Sequence, residues 1–162
     1  MALILRIIRK SRWYSKPDWL SEGDLQADAL GDLITKNNEL SVWHINDDRS
    51  NLDPIIAALA SKRDVLSNFD FALFDKNILE QNRLKFKKTS GISLDAEANE
   101  LWHLDLYELS ASKVIKLAIA IANNSELKRV SEREIKNILA NSMASGAIKY
   151  DHLSQNLKLN LQ

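Results

Sequence analysis

The stretch Leu101–Ala122, LWHLDLYELSASKVIKLAIAIA, constrains the fold more than any other part of the chain. Its first half alternates and its second half repeats at helical spacing, so a strand is expected to run into a helix that packs back on it. On the strand reading of Leu101–Tyr107, Trp102, Leu104 and Leu106 share one face, and Leu101, His103, Asp105 and Tyr107 share the other. Ser110 is placed to cap the helix, and Val114, Leu117, Ala118, Ile121 and Ala122 form its apolar stripe. Ile115 and Ile119 widen that stripe, which predicts a helix buried over much of its circumference.

The remaining elements follow the same alternation. Leu3–Ile8 reads as a strand covered on both faces. Ser21 followed by Asp24 suggests a helix carrying Leu25, Ala29 and Leu33, with Glu22, Asp24, Asp28 and Asp32 on its polar side. Leu40–Ile45 and Phe69–Phe74 read as strands, and Asp53-Pro54 opens a helix between them. Asp75 can cap a short helix, and Lys85–Asn99 is expected to be a surface loop or short hairpin. Ser131 with Glu134 forms a capping-box pattern before a helix that Gly146 should stop. Strand–helix alternation through Ala122 predicts an α/β domain with a mainly parallel sheet of about four strands flanked by helices. Residues 1–150 form that single domain on this reading, and residues 151–162 are a tail whose alternating leucines suit an edge strand or a disordered end.

Composition narrows the possible functions. The 22 basic and 22 acidic residues cancel, which disfavours a whole-domain electrostatic grip on nucleic acid. There is no cysteine, so disulfides, thiolate zinc sites and cysteine nucleophiles are excluded, and a reducing cytoplasm is the expected compartment. No stretch has the length of apolar sequence that a membrane-spanning helix needs, so no membrane partner is expected. The four glycines form neither a phosphate loop nor a dinucleotide fingerprint, and there is no nucleophile elbow.

Four constellations remain. His103 and Asp105, two residues apart on one strand face, have the spacing of a general base and its orienting carboxylate. Asp47, Asp75 and Asp105 fall near predicted strand ends, where ligands bind in open parallel sheets. Together they could hold Mg²⁺ in a metal-dependent phosphoester hydrolase or nuclease, the only reading that calls for a cofactor. His44 and His103 each follow a tryptophan and would meet if their strands were neighbours. Basic residues interleave with aromatics around Trp13 and again around Phe86, so Arg9, Arg12, Trp13, Lys85 and Lys87 could give weak nucleic-acid binding. The same N-terminal segment supports the leading expectation, a non-enzymatic cytoplasmic interaction or regulatory module. Arg12, Trp13, Tyr14 and Trp19 are of the types that anchor protein interfaces, and a basic segment stands next to an acidic one. The partner would be another protein or a second copy of the chain.

Overall fold

Leu3–Ile8 forms strand β1, and its side chains enter two separate cores. Ile4 and Ile8 pack with one cluster and Leu5 with the other, so β1 must lie inside the sheet with both faces covered. The computed structural model describes residues 2–14 and 17–162. It places β1 beside β2 (Leu40–Ile45) and β3 (Phe69–Asp75) in a six-stranded sheet. The others are β4 (Lys85–Lys88), β5 (His103–Tyr107) and β6 (Ser125–Val130), and the order is β4-β5-β2-β1-β3-β6. The domain is α/β, but every neighbouring pair is antiparallel.

This corrects the expected four-stranded, mainly parallel sheet. The helical crossovers are present: both β2 and β3 run opposite to β1, and therefore run in the same direction as each other. The helix α2 (Leu52–Ala60) joins them as a parallel crossover would. Yet β1 sits between the two strands and takes the hydrogen bonds of both, so no parallel pair forms. Alternation in sequence fixes crossover direction, whereas adjacency depends on which strand fills the gap.

Four helical segments cover one face: α1 (Lys10–Tyr14), a 3₁₀ segment at Ala27–Leu33, α3 (Asn77–Gln81) and α5 (Ala111–Asn124). The other face carries α2, α4 (Ala96–Trp102), α6 (Glu132–Ala144) and α7 (Gln155–Asn160). Apolar positions of the expected strands and helices fill the core, with Leu5, Leu33, Val42, Phe71, Leu73, Leu106, Leu117, Ile121 and Leu139 all buried. Caps behave as their residue types dictate. Ser110 accepts from the Lys113 amide, and Ser131 and Glu134 close a complete capping box. Gly146 ends α6 with φ +81°, a conformation that costs glycine little.

Several local expectations shift. The central strand is shorter than predicted, because Ala96–Trp102 is helical and Trp102 packs with the opposite face from Leu104 and Leu106. Asp95 drives this by capping α4 at the Ala98 amide. The helix expected after Ser21 is reduced to the 3₁₀ segment, and Ile34 and Ile115 lie exposed. Lys85–Lys88 is an edge strand, and β6 was hidden because half of its residues are charged and Ser125 is polar. The tail is neither strand nor loose end: it forms α7, whose Leu157 is fully buried against the core.

Leu157→Ala should therefore cost about 2–4 kcal/mol, the usual price of truncating a buried leucine. Urea denaturation reads this directly, and an unchanged midpoint would mean that the C-terminal helix is not docked.

Candidate functional site

The residues that organise one end of the sheet gather around the start of α1. Arg6 is the only charged residue in β1, and its guanidinium is turned into the protein. Its Nε and Nη2 donate to the Asp32 carbonyl at 3.2 and 2.8 Å, and Nη1 donates to the Ser41 carbonyl at 2.8 Å. Burial draws the Arg6 guanidinium below its ordinary pKa, and the nearby Asp32 charge opposes this. The Asp32 side chain faces α1 instead. Its carboxylate accepts from the Arg9 amide at 2.8 Å, the Trp13 Nε1 at 2.8 Å and the Arg12 Nη1 at 3.1 Å. From β3, Asp70 accepts the Lys10 amide at 2.9 Å and a bidentate grip from Arg129 at 2.7 and 3.0 Å. Two carboxylates thus hold consecutive amides at the entry to α1, where helix N–H groups lack partners of their own. Gly31 lets Arg12 approach, since a Cβ there would meet Arg12 Nη1 at 3.0 Å.

This clamp places the predicted interaction residues in two groups. Arg12 and Trp13 turn inward onto Asp32, and Trp13 is only 6% exposed. Tyr14 is 53% exposed and donates from its hydroxyl to the Leu127 carbonyl of β6 at 3.2 Å. Trp19 is 73% exposed. Lys16, part of the basic run in the sequence, lies outside the described residues.

The histidine and carboxylate candidates are distributed differently. His103 and Asp105 share a face of β5 but have separate partners. Nδ1 of His103 lies 2.9 Å from Thr89 Oγ1, its ring meets Trp43 edge-on at 5.0 Å, and Asp105 accepts from Ser41 Oγ at 2.9 Å. The strands β2 and β5 are neighbours, but the register opposes His103 to Trp43, which sends His44 to the other face. The His44 pKa is lowered by burial and by Lys76, with Asp47 acting in the opposite direction. Asp75 caps the Asn77 amide at 2.8 Å.

The three aspartates do not converge. Asp75 lies level with Leu3 and Ile45, whereas Asp105 opposes Ser41, four residues further along β2. At about 3.3 Å per residue this is roughly 13 Å, too far for one ion's short oxygen bonds. Among the described residues, no group of three His, Cys, Asp or Glu is placed to hold a metal ion. The physical reason is the antiparallel sheet, whose carboxyl strand ends are divided between two edges. The second basic cluster is occupied by acids, with Lys85 paired to Glu108 and Lys87 to Glu39.

The sequence places Arg6 in a basic segment running to Lys16 and Asp32 on the polar side of an expected helix, and it gives no sign of the role of Asp70. Arg6 could have been noticed as a lone charge in an apolar strand, which requires a buried partner. The partner itself could not, because Asp32 was assigned to a solvated helix face. Comparisons with protein-family models, curated proteins and solved structures give no match for this chain. No helix among the described residues is long and apolar enough to cross a membrane.

Two outcomes test the clamp. Asp32→Ala should destabilise by about 2–4 kcal/mol, because the Trp13 indole N–H and a helix-entry amide lose their acceptor; thermal melts measure it. The second concerns acid. Hydrogen bonding to Arg129, with help from the Lys10 amide, holds the Asp70 carboxyl below its usual range. Its contribution is therefore complete above the unfolded carboxyl value near 3.9 and disappears as pH falls through the lower folded value. Asp70→Asn should lose less stability between pH 7 and pH 3 (about the span of that titration) than the wild type in urea melts.

Proposed function

We propose that the protein is a non-enzymatic cytoplasmic interaction module that associates through the surface carrying Tyr14 and Trp19, with a second copy of the chain as partner. The observation that carries this reading is the 73% exposure of Trp19, in a segment where Trp13 has found a buried hydrogen bond. A solvated indole is costly, and tryptophan and tyrosine are the residues that most often anchor interfaces.

Charge supports self-association. Asp18, Glu22, Asp24 and Asp28, close to Trp19 in sequence, are exposed, and Arg9 is exposed just before α1. The whole chain is neutral. A two-fold pairing could set the basic end of one copy against the acidic segment of the other, each interaction occurring twice. The lack of cysteine suits a reducing compartment.

The other readings have less support. A metal-dependent hydrolase would need Asp47, Asp75 and Asp105 to meet, and two of them lie at the opposite end of the strands from the third. Nucleic-acid binding through Lys85 and Lys87 would have to displace Glu108 and Glu39.

Sedimentation velocity across a concentration series is the test. A reversible dimer should form at low salt, weaken as salt rises, and lose about thirtyfold in affinity on Trp19→Ala, the scale of an interface hot spot. A chain that stays monomeric at every concentration and salt would overturn the reading.

A further inference from the structure

The clamp also forms the wall of a cavity of about 490 Å³ at the end of the sheet where β1 finishes and β3 begins. Its lining includes Arg6 and Arg9 from β1 and the turn after it, Arg63 from the loop before β3, and the aspartates Asp32 and Asp70. We propose that this cavity is a binding site for a small organic phosphate, recognised by the guanidinium groups of Arg6, Arg9 and Arg63.

Charge is the first argument. Three lining guanidinium groups stand against two lining carboxylates, and those carboxylates also serve groups outside the cavity, Asp32 serving Arg12 and Trp13, and Asp70 serving Arg129. The three lining arginines are thus left with more positive charge than the cavity itself neutralises.

Hydrogen-bonding capacity is the second. A guanidinium has five N–H donors. Arg6 directs three hydrogen bonds to carbonyls, and Arg63 makes one, from Nη1 to Ser67 Oγ at 3.3 Å. The Arg9 guanidinium has no hydrogen bond or ion pair among the described residues, although its backbone amide serves Asp32. Donors therefore exceed acceptors, as an anion with several oxygens requires and a cation does not. A tetrahedral phosphate, with more oxygens than a carboxylate, can use three forks from three directions.

Rigidity and size complete the case. Arg63 lies over the Phe69 ring with its Cζ 3.5 Å from the centroid, and Arg6 is tied to two carbonyls, so two of the three forks are positioned in advance. Burial lowers the pKa of both groups, and the same desolvation strengthens their attraction for an anion. The volume falls within the range of small-molecule pockets and exceeds what a bare phosphate fills, and the lining is mainly polar with half-buried Ile7 beside it, which suits a small, polar organic remainder.

The site does not rest on the Tyr14–Trp19 surface, but it shares Arg9 with the basic end that the proposed pairing would use, so the monomer is the form expected to bind. The experiment is an amide NMR titration of the full chain with glycerol 3-phosphate, inorganic phosphate and succinate in turn, with ionic strength held constant by sodium chloride. Glycerol 3-phosphate should give saturable shifts at Gly31, Ser67 and Asn68 at millimolar concentration, with inorganic phosphate weaker and succinate weaker still. Arg9→Gln and Arg63→Gln should each reduce affinity about tenfold or more, as loss of a charge-assisted hydrogen bond does. Lys136→Gln, which removes a surface pair with Glu132, should change nothing. Arg9 is exposed, so its variant remains informative even if Arg63→Gln disturbs the Phe69 contact. Absence of saturation, a response that chloride alone reproduces, a preference for succinate, or full affinity in the Arg9 variant would each overturn the proposal.

Discussion

The structure at this end of the sheet depends on one half-buried cation. Arg6 lies in the strand that both layers cover, on the face that also buries Ile4 and Ile8. A guanidinium partly withdrawn from water in that position must be given acceptors, because a desolvated donor left without partners is costly. The Asp32 and Ser41 carbonyls meet this need. One bond ties β1 to β2 beyond Leu5, where their paired register stops, and the others draw the 3₁₀ segment onto the sheet. With its carbonyl committed to Arg6, Asp32 is fixed so that its carboxylate can receive α1. A structural ion network and a donor-rich cavity are thus two sides of one solution.

Strand β1 has a similar role in the topology. It takes hydrogen bonds from β2 and β3 at once, which converts a crossover of the parallel kind into two antiparallel pairs. The same change of adjacency separates the carboxylates that looked like a metal site. Strand ends that would share one edge of a parallel sheet are split between two edges here, and Asp105 stands apart from Asp75. Sheet topology and the fate of the candidate site are therefore a single physical question.

The aromatic segment shows how tertiary contacts sort residues of one chemical type. Trp13, Tyr14 and Trp19 look equivalent in sequence. Trp13 is buried because Asp32 offers its indole an acceptor, Tyr14 rests on the edge strand β6, and Trp19 has no comparable cover. Their exposure depends on which acceptors and surfaces the fold brings within reach.

The amino-acid sequence alone determined the local elements whose signals are short-range. Helix caps at Ser110 and Ser131, the stop at Gly146, the strands at Leu3–Ile8, Leu40–Ile45 and Phe69–Phe74, and most of the buried set all follow from periodicity and capping chemistry. Elements whose stability comes from neighbours were not legible. The charged strand β6 exists because β3 pairs with it, and α7 is helical because Leu157 finds a core to enter, although its leucines alternate like a strand. Only the tertiary structure decided strand adjacency, the partner of Arg6 and the meeting of three arginines at one cavity. Those depend on contacts between residues far apart in the chain, such as Arg6 with Ser41 and Asp70 with Arg129, and a side chain's local spacing carries no record of which distant group will face it.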